Sequence, residues 1–178
     1  MPPHRTALPQ ASGRPLLTDG GIETTLIYQH GIDLPCFAAF PLLDTASGLA
    51  ALRQYFSSYA ALAQRLGLGL VLESPTWRAN PEWVAKLGYP AGGLASVHRR
   101  AIALMEEFRD GLDQRGLPAV IAGNLGPRGD GYTPSALMTA AEAATYHRPQ
   151  IEVFAQTETD FISALTLNYT AEAIGIAV

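Results

Sequence analysis

The sequence predicts an α/β fold with a parallel sheet of four short strands, each followed by a helical segment. Along the chain, short apolar segments alternate with segments in which apolar residues recur every three or four positions. Every predicted strand also leads into a polar or glycine-rich loop. In an eight-stranded (β/α)8 TIM barrel such loops share one face and form the site. Because a full barrel needs about 250 residues, the 178 residues predict an incomplete barrel of about four βα units.

The first predicted strand, residues 15–19, ends in Asp19 and is followed by Gly20 and Gly21. A carboxylate at a strand end, followed by backbone that a ligand can approach closely, is how many α/β active sites begin. The alternative is a tight turn in which Asp19 caps the next helix and the glycines relieve strain. Both interpretations stay open from these residues alone.

A short helix is predicted to follow over residues 23–30. Glu23 lies one turn beyond the end of the strand, and we expect it to complete a capping box with Thr18 or Asp19 rather than to contact a substrate. The segment 33–44 is a connection of mixed polarity that prolines interrupt.

A clear amphipathic helix is predicted next, and it ends at Gly67. Residues 68–73 form an apolar run with an acidic end, as expected for a strand buried on both faces. Asn80, Pro81 and Glu82 then predict a helix start, because they supply a capping side chain, a proline at the first helical position and an acid in the first turn. The apolar face of the amphipathic helix consists of Leu49, Leu52, Phe56, Tyr59, Ala63 and Leu66.

The rest of the chain repeats the pattern of strand and helix. A helix predicted over 134–156 is expected to break at Pro149, since a proline restricts the residue before it. The glycine-rich loop ahead of it has neither the Gly-Lys-Ser/Thr of a P-loop nor a dinucleotide-binding spacing. It is expected to shape the mouth of the barrel or to form a plain turn. The other predicted elements are a helix with Leu94, Val97, Ala101, Leu104, Phe108 and Leu112 on one face, strands at 118–123 and 160–166, and a helix at 171–178.

The composition limits the class of protein. Charged residues make up 16% of the chain, below the usual ~25%, so we expect a part of a larger fold or an oligomer. A net charge of −4 without a Lys/Arg run indicates neither nucleic acid nor an anionic membrane as a partner. One cysteine, Cys36, excludes a disulfide framework and a multi-cysteine metal site within the chain. Residues 1–15 are predicted to be a flexible tail, and with no apolar run near ~20 residues the protein is expected to be cytoplasmic.

Five segments together resemble the homocysteine S-methyltransferase family, which includes betaine–homocysteine methyltransferase and the homocysteine-binding half of cobalamin-dependent methionine synthase. The resemblance depends on their order and spacing. It implies that residues 16–178 are the N-terminal half of a homocysteine-binding (β/α)8 barrel domain. The segments are TDGGIETTL at 18–26, SPTWRAN at 74–80, AGNLGPRGD at 122–130, YHRPQIEVFAQTETDFISALT at 146–166 and AEAIGI at 171–176.

The resemblance implies methyl transfer from a methyl donor to the thiol of homocysteine, giving methionine. A thiol is a poor nucleophile at neutral pH, and in the family zinc coordination deprotonates it. The ammonium group of the substrate needs a carboxylate, which Asp19 is placed to supply, and Trp77 is either a pocket wall or a core aromatic residue. The residues predicted to bind substrate are Asp19, Gly20, Gly21, Thr76, Trp77 and Asn124.

Two departures from the family pattern affect this prediction. The family holds zinc with cysteines on later strands, and this chain has none of them, since Cys36 does not match a ligand position. No cofactor is therefore predicted in this chain, although zinc is expected for a full-length member. The fourth strand of typical members ends in Glu-Thr, whereas this chain has Leu165-Thr166. Either a divergent subgroup lacks that contact, or the acceptor is a related thiol or selenol.

Histidines are predicted to be structural or solvated rather than catalytic. His147, beside Pro149, is expected to donate or accept a structural hydrogen bond with a neighbouring loop. The remaining three, which are expected to be solvated, are His4, His30 and His98.

Two other functions stay open. A barrel lyase or aldolase would need a phosphate grip or a Schiff-base lysine, and the single lysine, Lys86, is away from any strand end. A half barrel without catalytic activity, binding a small amino-acid ligand or another chain, is favoured by the missing cysteines. Open sheet edges predict self-association in either case.

Overall fold

The computed structural model describes residues 2–134 and 136–178. Four strands and six helices form its regular structure within these ranges. Three short 3-10 turns accompany them, at Pro9–Ser12, Pro35–Phe37 and Phe40–Asp44. In chain order the strands and helices are β1 (Leu16–Thr18), α1 (Ile22–Thr24, continued by a π-helical turn over Thr25–Gln29), α2 (Ala46–Leu66), β2 (Gly69–Glu73), α3 (Pro81–Lys86), α4 (Gly93–Asp113), β3 (Ala119–Leu125), α5 (Ala140–Ala155), β4 (Phe161–Ala164) and α6 (Thr170–Ala177).

The strands form one parallel sheet in the order β1-β2-β3-β4. Leu17 pairs with Leu70, and Val71 with Val120. Because each strand lies beside the next one in the sequence and all run in one direction, their carboxyl ends meet at one edge of the sheet. This arrangement confirms the predicted α/β fold of four βα units.

The core lies between the sheet and the helices that pack on it. Helices α2 and α4 contact the strands, while α5 packs against α4 and α6. All of β3 is buried, whereas the edge strand β4 is half-buried throughout. The largest fully buried side chains are Phe40, Phe56, Phe154, Leu26, Leu52, Leu70, Leu72, Ile102, Met105, Leu112, Ile121 and Leu125.

Helix α2 has the predicted amphipathic character. Thr45 caps its first turn by accepting a hydrogen bond from the Gly48 N–H, and Gly67 ends it with φ of 63°. The predicted apolar face is wrong at Leu66, which is 53% exposed. Leu52, Phe56 and Ala63 are buried as predicted, and Tyr55 and Ala60 join them in the core.

Helix α4 contains one clear difference from the sequence prediction. His98, expected to be solvated, is fully buried. Its Nδ1 lies 2.7 Å from the carbonyl oxygen of Leu94, and its ring packs edge-on against Phe154 with 4.7 Å between centroids. Burial lowers the pKa of His98 to about 4, so this imidazole is neutral at pH 7. Helix α5 covers a face of α4 that helical periodicity alone assigned to solvent.

Helix α5 differs from its prediction in its start and in its continuity. It begins at Ala140, where Thr139 and Glu142 form a capping box, rather than at residue 134. It also continues through Pro149, where a break was predicted. A proline inside a helix removes one backbone hydrogen bond, and the packing of α5 against α4 and α6 compensates for that loss.

The first residues of the chain contact the α5–β4 region. Arg5 donates hydrogen bonds to the carbonyl oxygens of Thr159 and Ala155, and the His4 N–H donates to Asp160 at 2.9 Å. The predicted flexibility of residues 1–15 and the boundary at residue 16 stay predictions. No helix among the described residues is long and apolar enough to cross a membrane.

Candidate functional site

Polar side chains collect where the parallel strands end. The segments involved are 19–23 after β1, 73–78 after β2, 124–131 around the end of β3 and 163–168 at the end of β4. Hydrogen bonds join the segment after β2 to the segments at the ends of β3 and β4 and so position these three relative to one another. This edge is therefore the candidate site.

Asp19 lies at the end of β1 and its carboxylate points toward α2. The Tyr55 hydroxyl donates a hydrogen bond to Asp19 Oδ2 at 2.8 Å. Burial raises the pKa of Asp19, while the Tyr55 hydrogen bond acts in the opposite direction. No side chain caps α1, whose N-cap is Gly21. The interpretation of Asp19 as a helix cap is therefore wrong, and its carboxylate is held in place by a phenol.

The two glycines after Asp19 make the turn into α1. Gly21 has φ of 58°, in the left-handed region that favours glycine. Gly20 is exposed, and its N–H donates to the Tyr59 hydroxyl at 3.2 Å. The turn leaves backbone at the surface of the site beside Asp19, as the sequence predicted.

Glu23 is a site residue that sequence reasoning assigned to capping. It is 8% exposed, and its Oε1 is buried without a hydrogen-bond partner. Burial is the largest cause that raises the pKa of Glu23 to about 7, and the Asp19 charge adds to it. The predicted capping box with Thr18 or Asp19 does not form, because the N-cap of α1 is Gly21, which has no side chain to cap the helix.

Glu73 is a second acid that sequence reasoning did not select. Glu73 is the last residue of β2, a position similar to that of Asp19 directly after β1. The Ser163 hydroxyl of β4 donates a hydrogen bond to the Glu73 carboxylate. Burial raises the pKa of Glu73, and the Asp19 charge acts in the same direction. The signal was present in the sequence, since an acid at the end of a buried strand is the pattern that drew attention to Asp19.

Thr76 and Asn124 connect the segments after β2 and β3. Thr76 Oγ1 donates to the Asn124 carbonyl oxygen at 2.8 Å, and the Asn124 N–H donates to Ser74 Oγ at 3.0 Å. Thr76 is fully buried, so it supports the site from beneath rather than lining an open pocket. Asn124 is 7% exposed and its Oδ1 is buried without a partner.

Trp77 lies between the segments that follow β2 and β4. Its indole Nε1–H donates to Thr166 Oγ1 at 3.0 Å, and the side chain is half-buried. A Cβ on Gly126 would lie 2.4 Å from the Trp77 carbonyl oxygen and 2.8 Å from its ring, so only glycine allows this approach. Trp77 is a wall of the strand-end region rather than a core residue.

Arg78 is a basic residue in this acidic region that sequence reasoning did not select. Its guanidinium lies between two indole rings, 4.4 Å from the centroid of Trp77 and 4.7 Å from that of Trp83. It donates to the Gly129 carbonyl oxygen, while its Nε is buried without a partner. Guanidinium groups commonly stack on aromatic faces in this way, and the stacking fixes the orientation of the Arg78 side chain.

Two buried residues secure the glycine-rich loop. Glu172 Oε1 accepts hydrogen bonds from the Arg128 N–H at 2.7 Å and lies 2.9 Å from His147 Nε2. Both His147 and Glu172 are fully buried. The structural role predicted for His147 agrees with these contacts, although its partner is on α6 rather than in a loop.

The described residues do not form a zinc site. No group of three or more His, Cys, Asp or Glu side chains in residues 2–134 and 136–178 is arranged to hold a metal ion. Cys36 is exposed in the connection before α2. At the end of β4 the aliphatic Leu165 is 44% exposed, at the position where the resemblance implies a glutamate.

Comparisons with known proteins indicate a family and a fold for this chain. The sequence model of one protein family, described as homocysteine S-methyltransferase, matches residues 16–178. The metallated form of the homocysteine methyltransferase MmuM from Escherichia coli is similar, with a TM-score of 0.73 and 17% identity over 94% of this chain and 59% of that chain. Its oxidised form gives a TM-score of 0.75 and 20% identity over 91% and 56% of the two chains. No curated protein sequence matched.

The two structures confirm the fold that the sequence predicted. At sequence identities this low, their similarity is informative about the fold alone. This chain spans between half and two thirds of the length of each of them.

Proposed function

Because the chain belongs to the homocysteine S-methyltransferase family, we propose that it binds homocysteine for transfer of a methyl group to the thiol, which yields methionine. In that reaction the bond between the donor and the methyl group breaks, a sulfur–carbon bond forms and the thiol proton is released. The observation that supports the proposal most is the Asp19 carboxylate, which Tyr55 holds at the strand ends without any capping role.

The substrate-binding roles follow from this placement. Asp19 accepts hydrogen bonds from the ammonium group of the amino acid, a charge-assisted contact of the stronger class. Gly20 and Gly21 let the ligand approach the backbone, and Trp77 forms a wall beside it. Thr76 and Asn124 fix the distance between the segments after β2 and β3. A cytoplasmic location remains part of the proposal.

The roles proposed for this chain are in substrate binding. The family resemblance implies thiol activation by zinc on cysteines, and the described residues provide no such ligand set. We therefore expect homocysteine to bind to the chain and expect methyl transfer by the chain alone to be undetectable.

Calorimetric titration of L-homocysteine and of L-homoserine tests the proposal. Methionine formation is measured by mass spectrometry in parallel samples of homocysteine that also contain a methyl donor, betaine in one and a methylsulfonium compound in the other. We expect homocysteine to bind more tightly than its hydroxyl analogue. A folded chain that binds neither compound would contradict the proposal. Methionine formation by the purified chain would show that a thiol-activating group lies among its own residues.

A second candidate is a half barrel without catalytic activity that associates with another chain. The exposed apolar residues near the end of β4 and on α6 favour it, with Leu165 at 44% and Ile174 at 49% exposure. An unpaired strand edge beside such residues is a recognised route to association. Light scattering is expected to show a dimer or larger species, and a monodisperse monomer would count against this candidate.

A further inference from the structure

Two charged side chains at the strand ends each keep a buried polar atom without a hydrogen-bond partner. These atoms are Glu23 Oε1 and Arg78 Nε. Each of the two residues is only 8% exposed. Folded proteins pair nearly all buried polar atoms, because an unpaired one loses its hydration without compensation. An acceptor and a donor that lack a partner therefore lie in the same region.

The two open atoms belong to groups of opposite charge that do not pair with each other. The Arg78 charge lowers the pKa of Glu23 and the Glu23 charge raises that of Arg78, so the groups are close enough to interact. Burial has the largest effect on both pKa values and acts in the opposite direction. The acidic contact recorded for Arg78 within 4.0 Å is with Asp130, which is 53% exposed. Glu23 and Arg78 therefore influence each other without forming a recorded ion pair within 4.0 Å.

Both groups are positioned by their surroundings rather than free to collapse onto each other. Glu23 is held on α1 directly after the left-handed turn at Gly21. Arg78 is fixed between the rings of Trp77 and Trp83 and by its hydrogen bond to the Gly129 carbonyl oxygen. Preorganised charges of this kind favour a ligand with matching charges, because little side-chain entropy remains to be lost on binding.

We infer that Glu23 and Arg78 form a subsite for the zwitterionic end of an α-amino acid. Glu23, beside Asp19, accepts hydrogen bonds from the ammonium group, and Arg78 donates to the carboxylate. The end of β4 presents the aliphatic Leu165, which offers no acceptor for that ammonium group. The inference rests on the proposed function for the identity of the ligand, but the subsite recognises the zwitterion and not the thiol.

Titration of the full chain with ligands that lack one charge tests each contact separately. The probes are L-homocysteine, 4-mercaptobutanoate, which lacks the ammonium group, and 3-aminopropane-1-thiol, which lacks the carboxylate. We expect Glu23→Gln to weaken homocysteine binding about ten- to a hundredfold, as for loss of a charge-assisted hydrogen bond. The same substitution should leave 4-mercaptobutanoate binding unchanged. Arg78→Gln should weaken homocysteine binding and leave the binding of 3-aminopropane-1-thiol unchanged.

Glu152→Gln and Arg115→Gln are matched controls, since both residues are exposed and outside the site, and neither should alter any affinity. Melting curves identify a variant that fails to fold. If a variant fails to fold, the affinities of the three ligands for the wild-type chain provide the test. An intact subsite requires homocysteine to bind at least about tenfold more tightly than either truncated probe. Equal affinities of the three probes, or equal losses for all of them in Glu23→Gln, would overturn the inference.

L-norleucine, which has the zwitterion but no thiol, separates this inference from the proposed function. Norleucine binding that is weakened by Glu23→Gln would support the subsite even if homocysteine is not the substrate. Homocysteine binding that does not respond to Glu23→Gln would overturn the subsite and leave the proposed function standing. Absence of binding of any α-amino acid would overturn both.

Discussion

Tyr55 and Asp19 are joined by a hydrogen bond of 2.8 Å across 36 positions of sequence. The bond links α2 to the end of β1 and fixes the orientation of the carboxylate. Tyr55 is 2% exposed, so its hydroxyl has no alternative contact with solvent. This pair places a partly desolvated acid where the strands end.

Tyr55→Phe removes the donor and leaves the buried Asp19 carboxylate with one fewer hydrogen bond. We expect the free energy of unfolding to fall by about 1–2 kcal/mol and the pKa of Asp19 to rise further. Urea denaturation measures the first effect. Tyr28→Phe is the control, because Tyr28 is 76% exposed and its hydroxyl should matter by less than ~0.5 kcal/mol. Equal stability of the two variants would show that the Tyr55–Asp19 bond contributes nothing measurable.

Glu23 predicts a specific pH dependence of stability. Its pKa is raised from 4.5 to about 7 in the folded chain, chiefly by burial. The folded chain therefore binds more protons than the unfolded chain between these values, and the contribution of Glu23 to stability falls as pH rises through this window. Asp19 and Arg78, whose charges also act on Glu23, are the same in wild type and variant.

Glu23→Gln removes this titration, since an amide does not ionise. We expect the variant to be more stable than wild type above pH 7 by about 1–3 kcal/mol, with the difference fading below pH 4.5. Denaturant titrations at pH 4, 6 and 8 measure the difference. A difference that does not vary with pH would contradict the assigned burial of this carboxyl. Greater stability of Glu23→Gln combined with weaker amino-acid binding would mean that Glu23 contributes to ligand binding at a cost in stability.

The fully buried pair of His147 and Glu172 gives a prediction for the glycine-rich loop. His147→Ala removes one hydrogen-bond partner of the buried Glu172 carboxylate and creates a cavity. We expect a loss of about 2–4 kcal/mol in the free energy of unfolding. His30→Ala, at an exposed position, should cost less than ~0.5 kcal/mol. A small effect at both positions would mean that the pair does not secure α5 to α6.

Much of the fold was predictable because its signals are local in sequence. Asn80 accepts from the Trp83 N–H as its position before Pro81 predicted, and Gly67 ends α2 in the expected left-handed conformation. Apolar runs predicted the strands, and their polar ends predicted where the site lies.

The remaining features depend on which elements meet. His98 is buried because α5 brings Phe154 against it, and no pattern within α4 shows that contact. Arg78 is identified as a site residue by its position between the rings of Trp77 and Trp83, a contact that the sequence does not show. Glu23 was assigned to capping because it closely follows Thr18 and Asp19 at a helix start, yet a capping box joins residues three positions apart. The helix has Gly21 as its N-cap, and Glu23 is buried.

The most direct test of the proposed substrate-binding role is homocysteine titration of Asp19→Asn beside a melting curve of the same protein. Asparagine can still accept the Tyr55 hydrogen bond, so stability should barely change, whereas loss of the charge should weaken homocysteine binding about ten- to a hundredfold. Asp110→Asn, at an exposed position on α4, should change neither quantity. Unchanged homocysteine affinity in a folded Asp19→Asn protein would contradict the assignment of Asp19 as the partner of the substrate ammonium group.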